Sequence, residues 1–244
     1  MSASLALGLV DAGNRTMARR VKEQGTRGET AHALLEECLA ETGAGIGDIV
    51  SICVGVGPGS FTGIRVCAAL AQGLAFAKRL SLYPFSSLAA LEVCAGSPGD
   101  PLQSVGLPAP RRDGEPAHAV IAAIAANAGR YYVRLPPAPD ADPGAGGGTR
   151  ESLMSADALL SLGAPGIRLI TSGNFPDRDR FLPAFGFLDR FEDAADFGRI
   201  ARMARGGHPV VDGILRPNYL MASAAEEKRR SALPGMPESG DTSK

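Results

Sequence analysis

The stretch that most constrains the fold is a β-branched apolar run that leads into a glycine-rich loop and then a long helical segment. Residues Ile49–Val54 form the run, residues Gly55–Gly63 form the loop, and the helical pattern continues to about Lys78-Arg79. A continuous apolar run of this kind is typical of a buried strand. A strand, a tight loop and a helix in this order predict an α/β protein.

The loop has the residue types of an anion site at a helix N-terminus. Its glycines permit positive φ angles and close approach of a ligand to the backbone, and a hydroxyl side chain can cap the first free N–H groups. An anion there gains typically ~0.3–1 kcal/mol from the helix dipole. No Lys follows the last glycine, so this is not a Walker loop. A tight turn without a ligand explains the same residues; the candidate contacts are Gly57, Gly59, Ser60, Thr62 and Gly63.

Similar strand and helix patterns occur twice along the chain, which predicts two α/β lobes. We assign residues 1–104 to the N lobe, with 206–222 returning to it, and 105–205 to the C lobe; residues 223–244 are expected to be a disordered tail. Predicted strands are Leu5–Val10, Thr16–Val21, Ile49–Val54, Leu80–Tyr83, Ala117–Ala125, Arg130–Leu135 and Ile167–Ile170. Predicted helices are Glu29–Thr42, the motif helix to Lys78, Leu88–Ala95, Ser155–Leu162 and Asp193–Arg205, and Pro136–Gly148 is a predicted loop.

Composition argues against several functions. The formal net charge is −1 and Trp is absent, so autonomous binding to tRNA is not expected. The four cysteines are isolated, which favours free thiols in a reducing cytosol over zinc or disulfides. No segment approaches the ~20 apolar residues of a membrane span. We therefore expect a cytoplasmic globular protein.

The motif itself resembles a known family signature. Residues Val54–Ala75 closely resemble the signature of the TsaB (YeaZ) family. Weaker pieces follow in the family's order and extend the resemblance from Ser2 to about Arg230: Arg27–His32, Phe85–Leu91, Ile121–Tyr132 and Pro217–Leu220.

The resemblance implies an actin-like (ASKHA, ribonuclease H-like) fold with two lobes. It also implies a non-catalytic subunit that pairs with the catalytic subunit TsaD, joined by the ATPase TsaE, to transfer a threonylcarbamoyl group to adenosine beside the tRNA anticodon. Alone, such a chain would form a homodimer, would contact tRNA only through the complex, and would bind ATP or ADP weakly if at all. The implied partner surface lies on the motif helix and on helix Glu29–Thr42, at His32, Leu35, Arg65, Ala69, Gln72, Gly73 and Phe76.

The chain departs from the family pattern at its N-terminus. Members usually start with a hydrophobic strand that ends in Asp-Thr-Ser, whereas here Met1–Ser4 align with the end of that motif and Leu5–Val10 with the second strand. In actin-like folds the missing strand is central, so we expect an N lobe without its first strand and with two exposed pairing edges. We also expect the natural start to lie upstream of Met1.

Two other functions compete with the partner role. A metallopeptidase would need clustered metal ligands, but His32, His118 and His208 form no HxxxH or HExxH pair. An actin-like kinase or ATPase would need carboxylates from both lobes around Mg²⁺. The first-strand acid is missing, and Ala125 stands where many relatives carry Asp. Both functions are therefore less favoured than the partner role.

Overall fold

The computed structural model describes residues 5–22, 29–94, 120–136, 150–164, 167–172, 175–176, 178–185, 187–190, 195–211 and 213–218. Their elements follow the order β1 (Leu5–Val10), β2 (Thr16–Lys22), α1 (Glu29–Thr42), β3 (Ser51–Gly55), α2 (Phe61–Lys78), β4 (Ser81–Phe85), α3 (Ser87–Cys94), β5 (Val120–Ala125), β6 (Arg130–Leu135), β7 (Arg150–Ser155), α4 (Ala156–Leu160), β8 (Arg168–Thr171), α5 (Arg178–Phe185), β9 (Phe187–Arg190) and α6 (Phe197–Arg205). A short 3₁₀ turn, Ile46–Asp48, precedes β3.

The C lobe is built on a five-stranded sheet with the order β7-β6-β5-β8-β9. The pairs β7/β6 and β6/β5 are antiparallel, and β5/β8 and β8/β9 are parallel. Alternate residues of the central strands face two separate cores, as the pleat of a strand requires. One core packs Ile121, Ala123, Tyr131, Val133 and Leu169 with residues of α4 and α5; the other packs Ala122, Tyr132 and Ile170 with residues of α3 and α6.

The N lobe contains two separate strand pairs. Strands β1 and β2 are antiparallel, and β3 and β4 are parallel. Helix α1 packs against the first pair, α2 packs against the second, and the two helices contact each other. The core under α2 contains Val54, Ala68, Ala71, Ala75, Leu82 and Leu215. Within the described residues no strand joins β1 to β3, which agrees with the expected lack of a central strand.

Helices α3 and α6 connect the lobes. Helix α3 falls within the predicted N lobe, yet its buried residues pack against the sheet of the C lobe. Helix α6 packs against α3 and also contacts all four strands of the N lobe. The segment after α6 then pairs with the N lobe, because the N–H of Val210 donates to the carbonyl of Leu82 and the N–H of Asn218 to that of Val56. The two lobes therefore share a common packing unit.

Several predicted elements need correction. Strand β4 continues to Phe85, beyond the predicted end at Tyr83. Helix α6 begins at Phe197, not Asp193, because Asp196 is its N-cap and accepts a hydrogen bond from the N–H of Arg199. Strands β7 and β9 and helix α5 were not predicted. The predicted loop Pro136–Gly148, beyond its first residue, and the predicted tail lie outside the described residues.

Candidate functional site

The glycine motif makes a tight joint between β3 and α2. Gly57 has a φ of 103°, and a Cβ there would lie 2.8 Å from Ile64 Cδ1 and 2.9 Å from the carbonyl oxygen of Asn218. The carbonyl of Gly57 accepts a hydrogen bond of 2.9 Å from the N–H of Ser87. A side chain at position 57 is thus excluded by the backbone conformation and by two neighbours. The motif consequently links α2, the start of α3 and the returning C-terminal segment.

The predicted anion contacts have structural partners of their own. The hydroxyl of Ser60 accepts from the N–H of Gly63, and the carbonyl of Ser60 accepts from the N–H of Ile64. The guanidinium of Arg65 lies over the ring of Phe61, 3.8 Å from its centroid. Two of the first N–H groups of α2 are therefore already satisfied, and the predicted N-cap role of Ser60 is confirmed. Gly59 and exposed Thr62 lie on the same turn, and contact with a nucleotide stays a prediction.

One face of α2 is exposed along the whole helix. Thr62, Arg65, Ala69, Gly73 and Phe76 are exposed, and they recur every three or four residues. A Cβ at Gly73 would meet no atom within 4 Å, and the side chain of Phe76 is 91% exposed. A helix in a sheet normally turns its large apolar residues inward. Here the small residues Ala68, Ala71 and Ala75 face the sheet, while the largest apolar side chain of the helix points away from it. We call this exposed face of α2 the outer face.

The second predicted interface helix agrees only in part. His32 is exposed, and its Nδ1 lies 3.6 Å from a carboxylate oxygen of Glu36. Leu35 is only 6% exposed and belongs to the buried side of α1, together with Ala31, Leu34 and Cys38. The prediction that Leu35 forms part of an exposed interface is therefore wrong. The helical period places Leu35 beside Leu34 and Cys38 on the stripe that packs against the sheet.

The outer face continues onto the returning C-terminal segment. The side-chain amide of Gln72, which is half-buried, donates to the carbonyl of Gly213. On either side of Gly213, Val211 is 99% exposed and Ile214 is 56% exposed. Single exposed apolar residues are common, but several close together mark binding surfaces. The outer face and the returning segment together therefore form an apolar surface without a partner in the described chain.

A cavity of about 570 Å³ lies behind this segment, at the junction of the lobes. Its walls are mostly apolar, with Arg216 and Asn218 as polar members. Beside it, the carboxylate of Glu151 on β7 accepts hydrogen bonds from Ser86, from Arg134 (3.0 Å) and from the side-chain amide of Asn218 (3.1 Å). Arg134 also pairs with Glu92 of α3 at 2.6 Å. Sequence reasoning missed this cluster, because its members are scattered singly and meet only when the lobes come together.

The four cysteines are free thiols, as predicted. Cys38 and Cys94 are buried, and Cys53 and Cys67 are half-buried. Burial raises the pKa of each thiol, and it raises that of Cys94 to about 11. Thiols with raised pKa values are poor nucleophiles at neutral pH, so these cysteines have the properties of packing residues.

Two searches of the described ranges bear on other functions. No group of three or more His, Cys, Asp or Glu side chains is placed to hold a metal ion there. Nor does any helix in these ranges have the length and apolar character needed to cross a membrane.

Comparisons with known proteins connect the glycine motif region with one pathway. Residues 28–104 match the family model "TsaD: tRNA N6-adenosine threonylcarbamoyltransferase". The curated tRNA threonylcarbamoyladenosine biosynthesis protein TsaB of Haemophilus influenzae is 45% identical over 62 residues, or 25% of this chain and 26% of that protein. TsaB of Escherichia coli strain K12 is 38% identical over 55 residues, which are 22% of this chain and 24% of that protein. The chain thus matches about a quarter of the length of each of these relatives.

Solved structures extend the likeness to the whole fold. A Pseudomonas aeruginosa protein described as uncharacterized, with similarity to peptidase YEAZ, superposes with a TM-score of 0.60 over 89% of this chain and 94% of its own. YeaZ from Pseudomonas aeruginosa superposes with a TM-score of 0.59 over the same shares. Both are 21% identical to this chain, so they show the fold alone. That fold is consistent with the two-lobed actin-like architecture expected from the sequence. Taken together, the matched segments and the shared fold support the assignment of this chain to the TsaB (YeaZ) family.

Proposed function

We propose that this chain is a non-catalytic partner subunit in the formation of threonylcarbamoyladenosine in tRNA. In this proposal it binds a TsaD-type threonylcarbamoyltransferase through the outer face of α2. The observation that carries the proposal is the exposed stripe Arg65, Ala69, Gly73 and Phe76, which lies within the segment that matches the TsaD family model. Two curated relatives are named as proteins of this pathway.

The composition of the outer face suits helix-on-helix contact. Small side chains at Ala69 and Gly73 allow a partner helix to approach closely, and Phe76 supplies an aromatic anchor at one end. Arg65 lies at the other end, stacked on Phe61, and is available to orient an acidic group of the partner at the rim. A stable interface of this kind buries on the order of 1,200–2,000 Å² in total.

A partner role is also favoured by what the site does with its polar groups. Ser60 caps its own helix, and Glu151 is occupied by Arg134, Ser86 and Asn218. Neither group is arranged as a nucleophile or a general base toward the cavity. We therefore propose that the transfer chemistry belongs to the TsaD-type subunit. TsaE would join that pair in the cytoplasm, tRNA would be contacted only through the complex, and nucleotide would bind this chain weakly or not at all.

The same surface explains how the chain would behave alone. An exposed apolar face is unfavourable in water, so a second copy would cover it when the TsaD-type partner is absent. A homodimer and a heterodimer that share one face exclude each other. We therefore expect the TsaD-type protein to convert homodimers into mixed complexes.

A reconstituted reaction tests the proposal. It contains the TsaD-type protein, TsaE and the other threonylcarbamoyladenosine-forming proteins of the same organism with unmodified tRNA, and the modified nucleoside is quantified by mass spectrometry. We expect product only when this chain is present, and a loss of at least about tenfold with Ala69→Arg. Ala12→Arg, an equally exposed Ala→Arg change in the turn between β1 and β2, is the matched control and should leave product unchanged. Equal product without this chain, or ATP turnover by this chain alone, would refute the proposal.

A further inference from the structure

The N lobe repeats the plan of the C lobe with one strand missing from its centre. In the C lobe, the antiparallel pair β6/β7 and the parallel pair β8/β9 are joined by β5, which pairs antiparallel with β6 and parallel with β8. In the N lobe, β1/β2 is likewise an antiparallel pair and β3/β4 a parallel pair. Within the described residues, no strand takes the place of β5 between them.

The two pairs of the N lobe are held in one layer. Arg20 of β2 pairs with Glu37 and Glu41 of α1, while its neighbour Arg19 donates to the carbonyl of Ala195, next to α6. Adjacent side chains of a strand point to opposite faces, so α1 and α6 lie on opposite faces of β1/β2. Helix α2 lies beside α1, and α6 contacts both strand pairs. The pairs are therefore clamped between the same two helical layers.

The strands that border the gap are apolar but incompletely covered. Every residue of β1, whose sequence is LALGLV, is half-buried, whereas Tyr131 and Val133 of its C-lobe counterpart β6 are fully buried. In β3 only Val54 is buried, whereas Leu169, Ile170 and Thr171 of its counterpart β8 are fully buried. The difference is the one expected if a central strand is present in one lobe and not in the other. The edges of β1 and β3 that face the gap also carry backbone groups suited to strand pairing.

We propose that the gap between β1 and β3 is an acceptor site for one extended, uncharged, apolar strand, antiparallel to β1 and parallel to β3. The occupant is a segment joined ahead of residue 1. In the C lobe, residues 126–129 connect β5 to β6, and in the N lobe residues 1–4 precede β1, so the connection has the same length. Strand β5, with the sequence VIAAIA, shows the chemistry that such a position accepts. Pairing on both sides would satisfy the backbone of both edges, as in recognition by β-strand addition.

The experiment adds such a strand to the full chain. One variant carries a second copy of the β5 sequence VIAAIA directly ahead of residue 1, and the matched control carries the same six residues with the two central Ala replaced by Pro. Proline cannot donate to a strand ladder, so the control has the same length without the pairing. Backbone amide exchange and thermal unfolding are measured for both and for the unextended chain.

In the chain with the intact extension, we expect the amides of β1 and β3 to exchange at least about tenfold more slowly than in the proline control, with amides of the added strand also protected. We also expect the melting temperature to rise by at least about 4 °C. Equal exchange of β1 and β3 in the two extended proteins would overturn the proposal. So would an unextended chain that is a dimer with these amides already protected, because a second copy would then fill the gap.

Discussion

A side-chain carbon at Gly57 would lie 2.9 Å from the carbonyl oxygen of Asn218, so the glycine motif and the returning C-terminal segment touch at this residue. The N–H of Asn218 donates to the carbonyl of Val56 at 2.7 Å, and its side-chain amide reaches Glu151 of the C lobe. The motif that resembles a nucleotide loop in sequence is thus the point at which both lobes and the end of the described chain are tied together.

The first prediction concerns this joint. Gly57→Ala is expected to lower the free energy of unfolding by at least about 2 kcal/mol, because alanine is strained at a φ of 103° and its Cβ would overlap Ile64 and Asn218. Urea unfolding measures the loss. Gly47→Ala is the control, since a Cβ at that position meets nothing within 4 Å, and it should change stability by less than about 0.5 kcal/mol. Equal effects of the two substitutions would contradict the structural role of Gly57.

The second prediction separates stability from binding on α2. Gly73 is in the interior of the helix and a Cβ there would meet no neighbour, so Gly73→Ala should stabilise the isolated fold by about 0.5–1 kcal/mol. The added methyl would keep a partner helix from approaching, and we expect affinity for the TsaD-type protein to fall about fivefold, or about 1 kcal/mol. Thermal unfolding and titration calorimetry measure the two effects. Higher stability with unchanged affinity would remove Gly73 from the interface.

The third prediction concerns the contact between the lobes. Glu151→Gln should destabilise the protein by about 1–3 kcal/mol, because Arg134, Ser86 and Asn218 converge on this mostly buried carboxylate. Asp157 provides the control, since its ion pair with Arg180 is exposed, with 85% of the Asp157 side chain accessible. Asp157→Asn should cost less than about 1 kcal/mol. If both variants unfold at the same urea concentration, the Glu151 cluster does not hold the lobes together.

The fourth prediction is a pH dependence that arises from buried Cys94. Burial raises the pKa of its thiol to about 11, whereas a thiol in the unfolded chain titrates near about 8.5. The folded state therefore keeps a proton that the unfolded state loses, so stability is intact below about pH 8.5 and falls as the pH rises toward 11. Cys94→Ala should lose less stability than the wild type over this window, by on the order of 2 kcal/mol. Parallel curves for the two proteins would show that Cys94 does not contribute to this loss.

Much of the fold could be predicted where the apolar period is clear. The bounds of α1 and β6 agree with the predicted ones, and Ser155 is the predicted N-cap of α4. Strand β7 was missed because its sequence, RESLMS, has little apolar content and lies at the edge of the sheet. Helix α5 was missed because it is short and contains Pro183, which normally ends a helical pattern.

The candidate site was harder to predict than the fold. The helical period predicts which residues of α2 face inward, so the exposure of Ala69, Gly73 and Phe76 follows from local pattern. Leu35 was misplaced because the neighbouring residues Leu34 and Leu35 both pack inward where α1 meets the sheet. The Glu151 cluster joins residues far apart in sequence, and no local pattern encodes such contacts.

The most direct test of the central claim is the dissociation constant between this chain and the TsaD-type protein of the same organism. It is measured by titration calorimetry, with the mass of the complex determined in solution. The account predicts a discrete mixed complex whose affinity falls at least about tenfold with Ala69→Arg and is unchanged with Ala12→Arg. No binding by the folded wild-type chain, or the same affinity for both variants, would contradict a partner role carried by the outer face of α2.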